Sequence, residues 1–380
     1  MDCRFNKKYS CKGVKLMSKF IVSQKQGVPF VSVQAMAEMI RNHGIEQTIK
    51  ELVDALEQDF SRWDNFEKSS RFASHSANGV IELMPVSDGD MFACKYVNGH
   101  PINTKRNLQT VAAFGVLSDV DTGYPILLTE MCILTALRTA ATSALVAKHC
   151  APKNAQTLAL IGNGAQGEFQ AIGMKAVVGI SKVRLYDVDL AASEKVAHNL
   201  ADSGLDITIC KTPEEAVEGA DIITTCTADK KNATILRNDM VKKGVFVNAI
   251  GGDCPGKTEL DADILLRADH VIVEFEPQTR IEGDIQQLSQ DFPVTEFHRI
   301  VKGEKEARTN ENNLVVFDGV GFASEDFTAL VFLRDLIKKQ EAYELLDLIP
   351  QQQDPKNLFS VLKGHSKDHS IVTNEAMAIA

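Results

Sequence analysis

The segment that most constrains this chain is Gly162-Asn163-Gly164-Ala165-Gln166-Gly167, which directly follows the apolar run Thr157–Ile161 and opens an amphipathic stretch. A G-x-G-x-x-G alone is common. Between a strand and a helix it has a specific meaning: glycines permit a tight turn and close backbone approach, and the unpaired N–H groups at a helix start attract a pyrophosphate. Asp187 ends the next apolar run, KVRLYD, as the fingerprint requires. Gly162, Gly164, Ala165, Gln166 and Asp187 are therefore candidate dinucleotide contacts. Asp187 can accept from an adenosine ribose and, with Asp189, repel a 2′-phosphate, so NAD is expected over NADP; a solvated strand-end aspartate is the bland alternative.

The surrounding pattern fits that reading. From Thr157 onward, the strands TLALIG, KVRLYD, DITIC, DIITTCT, VFVNAIG and HVIVEF alternate with helical stretches, which implies a parallel sheet covered on both faces. Upstream, residues 71–128 consist of short β-prone runs (GVIELMPV, MFACKYV, VAAFGVLSDV, YPILLTE) between Gly, Asn, Asp and Pro clusters, the texture of a mostly antiparallel sheet. Residues 32–63 carry apolar positions at three- and four-residue spacing and predict amphipathic helices; Met131 to Ala147 is helical and alanine-rich. The expected fold is α/β. A doubly wound, Rossmann-type NAD-binding domain covers residues 140–340, and residues 1–139 with 341–380 form an α+β domain.

Composition narrows the function classes. Fifty-one acidic against 41 basic residues give a net charge of −10 with no long basic block, which argues against nucleic acid as a partner. No uncharged run approaches the roughly 18 to 20 apolar residues of a membrane helix. The eight scattered cysteines form no C-x-x-C pair and fit reduced thiols in a cytoplasm. The amino terminus has basic residues without an apolar run behind them, so it does not read as a secretory signal. Met17 is a candidate start of the fold, with residues 1–16 frayed or an alternative translation start. His75, His100 and His149 show no ligand spacing, and no structural metal is expected.

Three charges stand in apolar surroundings. Alternation puts Glu82 on one face with Val80 and Met84, and Lys95 with Ala93 and Val97; Arg138 is the only charge from Met131 to Ala147. Buried charges are costly unless paired or liganded. Two readings stay open here: a polar pocket completed by an anionic substrate, or mutual pairing of Glu82 with Lys95. Asp253, in the Gly251–Lys257 loop after VFVNAIG, is either a general base for a substrate amine or an Asx-type turn residue. The strand ends Thr225–Thr227 and Asn248–Gly252 are expected to line the cofactor.

Several blocks together resemble one family: Arg71-Phe-Ala-Ser-His-Ser, Val80-Ile-Glu-Leu-Met-Pro, Lys95-Tyr-Val-Asn-Gly-His-Pro, Ala136-Leu-Arg-Thr-Ala-Ala-Thr-Ser, Gly251-Gly-Asp-Cys-Pro-Gly-Lys and Glu274-Phe-Glu-Pro-Gln-Thr-Arg-Ile-Glu-Gly. From about Phe60 to Phe359 the chain is similar to the ornithine cyclodeaminase/μ-crystallin family. The resemblance implies that Arg71, Lys95 and Arg138 bind a substrate carboxylate, that Glu82 places the amino groups at the catalytic centre, and that Asp253 is the catalytic acid/base. It implies NAD contacts from Thr110, Arg138, Ala165, Gln166, Asp187, Thr227, Val247, Asn248, Ala249, Ile250 and Lys257. Gly319 departs from the family pattern, which carries Ser, and leaves only a backbone contact there.

The implied reaction turns L-ornithine into L-proline and ammonia, with NAD recycled at the site. A lysine cyclodeaminase, an NAD-dependent amino-acid dehydrogenase or ketimine reductase, and a non-enzymatic binding protein are the competing readings. The family architecture implies a homodimer formed through the sheet of the first domain, which also binds substrate and is completed by the carboxyl-terminal segment.

Overall fold

The computed structural model describes residues 27–228 and 234–363. The expectations for residues 1–16 and for Met17 lie outside them. The chain packs as two units. In the smaller, residues 27–30 and 344–363, strand β1 (Val28–Val31) pairs antiparallel with β15 (Glu344–Leu346), Val28 opposite Leu346. Neither strand is among the expected elements.

In the larger unit, residues 31–343, the helical spacing near the amino terminus resolves into α1 (Val33–His43) and α2 (Ile45–Ser61). Ser32 caps α1 by accepting from the Ala35 amide at 3.3 Å, and Gly44, at φ +88°, makes the corner between the helices. Their apolar stripes (Met36, Met39, Ile40; Ile49, Leu52, Val53, Leu56, Phe60) are buried.

The β-prone region forms β2 (Phe72–Ser76), β3 (Gly79–Ser87), β4 (Met91–Gly99), β5 (Ala113–Asp119) and β6 (Pro125–Glu130), in the order β6-β5-β4-β3-β2, each neighbour antiparallel. Alternation holds as expected: Val80, Glu82, Met84 and Val86 on β3, and Ala93, Lys95 and Val97 on β4, share the buried face. The helix α3 (Cys132–Cys150) then runs as one element with thirteen buried residues and no polar face.

The parallel sheet comprises β7 (Thr157–Ile161), β8 (Lys182–Tyr186), β9 (Asp206–Ile209), β10 (Ile222–Thr225), β11 (Phe246–Ala249), β12 (His270–Val273), β13 (Thr295–Glu296) and β14 (Val315–Asp318). Their order is β13-β12-β14-β11-β10-β7-β8-β9, parallel throughout. This confirms the doubly wound α/β class. The chain winds from β7 outward to β9 and returns to β10 on β7's other side, so the topological switch point, where open α/β sheets bind ligands, falls between β7 and β10. The glycine turn leads from β7 into α4 (Gly167–Val178), which lies so close to α3 that a Cβ on Gly173 would stand 3.1 Å from the Ala140 carbonyl oxygen. The last long helix, α10 (Ala323–Gln340), starts five residues after β14 and carries Glu325 and Asp326 in its first turn.

Candidate active site

At the switch point Gly162 adopts φ +94°, and a Cβ there would come 2.8 Å from the Cys226 backbone. Only glycine lets β7 and the end of β10 approach so closely. The Asn163 amide donates to Asp187 Oδ2 at 2.6 Å and the Asp189 amide to Asp187 Oδ1 at 2.9 Å, so Asp187 itself shapes the glycine turn. Gly164 and Ala165 are exposed, and among the described residues no protein group accepts from the amides of Gly164, Ala165 and Gln166. Free amides beside a helix N-terminus fit a pyrophosphate. Asp187 keeps lone pairs for a ribose hydroxyl. The residues present thus fit a dinucleotide.

On the other side of the switch point, the Thr227 amide donates to the buried carboxylate of Glu259 at 2.8 Å, and the Thr227 hydroxyl donates to the same oxygen. Lys257, 4% exposed, donates to the Thr227 carbonyl at 3.0 Å and to Asp253 Oδ1 at 3.2 Å. Burial works against the Lys257 ammonium, but the charges of Asp253 and Glu259 outweigh it and raise its pKa. Asp253 has an exposed side chain, and Lys257 fixes one of its oxygens. Within β11, Val247, Asn248 and Ala249 are fully buried, and Asn248 bonds Thr224 and Gln170; of Val247–Ile250, Ile250 alone lines the cavity described next.

A cavity of about 210 Å³ joins these elements. Its walls are Arg71 just before β2, Glu82 from β3, Lys95 from β4, Arg138 from α3, Gln166 from the glycine turn, Asp253 from the loop after β11, and the Phe317–Gly321 stretch. Thr110 does not line it; the Thr110 carbonyl accepts from the His100 amide at 2.9 Å. Gly319 does line it, and a Cβ there would meet the Phe317 ring at 2.6 Å, so the ring fills the room that a serine would take.

Of the two readings left open for the embedded charges, mutual pairing of Glu82 with Lys95 does not occur. Arg71 holds Glu82 Oε2 at 3.1 Å, while Lys95 pairs with Asp326 at 2.8 Å. Arg138 donates to Glu325 Oε2 at 2.8 Å and to Asp326 Oδ1 at 3.1 Å. Arg71 is largely engaged: Nη2 donates to the carbonyls of Val320 and Gly321, both at 2.7 Å, while Nε lies 3.1 Å from Glu282 Oε2 as an ion pair without a hydrogen bond. Two of its five N–H groups, Nε–H and the second on Nη1, make no hydrogen bond among the described residues. Lys95 keeps two such donors and Arg138 three. Glu82 Oε1, by contrast, is buried and accepts from no described group.

Burial decides the titration of this cluster. Desolvation, reinforced by Arg138, lowers the Lys95 pKa to about 8. Desolvation raises Glu325 to about 8 and Glu282 to about 7, against the pull of Arg138 and Arg71 respectively. Sequence reasoning missed Glu274, Glu282, Glu325 and Asp326. Glu274 accepts from the Val320 and Gly321 amides at 3.2 and 3.0 Å and so holds the backbone whose carbonyls Arg71 grips. The signal for the other pair was a Glu-Asp placed inside the otherwise apolar run GFASEDFTALVF.

Fold and site together define an α/β enzyme class with a dinucleotide switch point facing a small, charged cavity. The model of the Ornithine cyclodeaminase/mu-crystallin family matches residues 33–341, and the chain belongs to that family. A relative from Brucella suis biovar 1 (strain 1330), ornithine cyclodeaminase, is 58% identical over 340 residues, covering 90% of this chain and 95% of the relative. Among solved structures, a lysine cyclodeaminase with L-lysine, L-ornithine and L-2,4-diaminobutyric acid recognition is similar at TM-score 0.82 and 27% identity, covering 88% of this chain and 99% of that one. An archaeal alanine dehydrogenase dimer with bound NAD is similar at TM-score 0.77 and 25% identity, covering 85% and 99%.

Proposed function

We propose that this protein is an ornithine cyclodeaminase, converting L-ornithine to L-proline and ammonia with catalytic NAD. The observation that carries the reading is the cavity itself: cations with spare donors (Lys95, Arg138), a buried carboxylate oxygen with no partner among the described residues (Glu82 Oε1) and the loop acid Asp253 all face one space beside the glycine turn. Family membership and the similarity to the Brucella relative support it.

In this reading Gly162, Gly164, Ala165, Gln166 and Asp187 hold the dinucleotide, with Thr227, Ile250, Lys257 and the Gly319 backbone along its course. When bound, NAD supplies a hydride acceptor and donor at Cα, so the reaction is redox-neutral overall. Lys95 and Arg138, with the uncommitted Nη1 hydrogen of Arg71, bind the substrate carboxylate. Glu82 Oε1 receives an amino group, which satisfies an oxygen that is otherwise stranded. Asp253 takes a proton from the δ-ammonium so that its nitrogen can attack the oxidised Cα, and gives a proton to the α-nitrogen as it leaves as ammonia. The C–N bond to the α-nitrogen breaks as the ring C–N bond forms, and ornithine divides into proline plus ammonia with no atom left over.

The larger architecture follows the same proposal. Residues 140–340 act as the NAD-binding domain, and residues 1–139 with 341–380 as the substrate-binding and dimerisation domain. Phe72, Ile81, Leu83 and Phe114 are 69%, 40%, 42% and 53% exposed on the outer side of the antiparallel strands, an apolar patch suited to a second copy in a homodimer. The six described cysteines are free, in keeping with a cytoplasmic enzyme that consumes ornithine and supplies proline. No helix among the described residues is long and apolar enough to cross a membrane. Incubation with L-ornithine and substoichiometric NAD should yield equal ammonia and proline without lasting NADH. NADH accumulating in proportion to product would instead indicate a dehydrogenase, and NAD binding without any turnover a binding protein.

A further inference from the structure

Helix α3 carries a row of hydroxyls that the proposed chemistry leaves unused. Thr142 and Ser143, 3% and 1% exposed, line the cavity one turn beyond Arg138, and neither side-chain oxygen has a hydrogen-bond partner among the described residues. Thr135, one turn earlier on the same wall, is likewise unpartnered. A helical Ser or Thr usually has an acceptor at hand in the carbonyl four residues back. Thr48 and Thr328 use theirs, at 2.9 Å each. Thr142 and Ser143 do not, although an unsatisfied buried hydroxyl is costly. α3 packs closely on the glycine-turn helix α4, and the cavity these hydroxyls line is also bounded by Gln166 of the glycine turn and by Ile250 and Gly319 at strand carboxyl ends.

We infer that the Thr142 and Ser143 hydroxyls hydrogen-bond the diphosphate–nicotinamide riboside half of the dinucleotide, making α3 a second wall of the cofactor site beside the glycine turn. The inference rests on the NAD reading above and adds residues to it. Unlike the turn amides, these groups belong to the helix that also carries Arg138, so cofactor and substrate cation are ordered from one rigid element.

The test is calorimetric titration of Thr142→Val and Ser143→Ala with NAD and, separately, with AMP, together with the thermal midpoint of each ligand-free protein. Each variant should bind NAD about 10-fold more weakly, since one hydrogen bond to the ligand is lost. AMP affinity should not change. The ligand-free midpoints should equal or exceed that of the parent, because an unsatisfied hydroxyl has been removed. Unchanged NAD affinity, an equal loss for AMP, or a lowered ligand-free midpoint would overturn the inference. Failure of the parent protein to bind NAD would instead overturn the underlying reading.

Discussion

Lys95 and Asp326, 231 residues apart in the chain, meet at 2.8 Å with each side chain 1% exposed. One sits on a central antiparallel strand and the other in the first turn of α10, where the helix dipole also favours a carboxylate. The pair clamps the helix to the cavity wall and sets Lys95 in place for an anion. A buried pair of this kind is costly to break from one side, because the remaining charge is stranded.

Asp326→Ala should therefore destabilise the protein by roughly 3 to 5 kcal/mol, the range for losing one partner of a buried ion pair. Urea unfolding of parent and variant measures it. A loss below 1 kcal/mol would show that Lys95 finds other compensation.

Asp253 plays a different part. Its side chain is 54% exposed and, among the described residues, tied only to Lys257, so stability owes it little. Asp253→Asn should leave the thermal midpoint and NAD affinity unchanged while proline formation falls by about 10²- to 10⁴-fold, the usual worth of a general acid/base. Near-normal turnover would remove Asp253 from the mechanism.

A pH effect follows from the acids beneath the Asp253 loop. Asp284 accepts from the Glu259 and Leu260 amides at 2.8 Å each; burial, with Glu259 adding to it, raises its pKa from 3.8 to about 7. Between those values the folded state binds more protons than the unfolded chain, so stability falls as pH rises. The contribution is complete below pH 3.8 and lost through about 7. Asp284→Asn should flatten the stability profile across that window, read as urea midpoints at successive pH values; an unchanged slope would assign the dependence elsewhere.

The exposed sheet face makes a prediction about assembly. Leu83→Asp, on the outer side of β3, places a charge in the proposed dimer contact without touching the buried face. Light scattering should show a monomer in place of a dimer. A dimer that persists would move the interface away from this face.

Much of this site could be read in the sequence because period-2 alternation exposes a charge on an apolar face: Glu82 and Lys95 stood out, and both are buried at the cavity. The glycine turn was legible because its strand, helix and Asp187 all stood in order. Their partners were not. Glu325 and Asp326 begin a helix, Glu274 follows a strand and Asp284 opens a short 3-10 turn, all places where acids are ordinary. Only the fold brings α10 against β4, which is why local pattern left a Glu82–Lys95 couple open as an alternative where the protein uses Arg71–Glu82 and Lys95–Asp326. The strand β14, VVFD, is not among the expected strands, though it lies at the centre of the parallel sheet's second half.

The central claim is that the hydride removed from Cα returns to the same carbon within one turnover. L-Ornithine carrying deuterium at Cα, incubated with the protein and substoichiometric NAD, tests it by mass spectrometry of the product. The account predicts proline that retains the deuterium, together with one equivalent of ammonia. Proline without deuterium, or NADH formed in step with product, would contradict it.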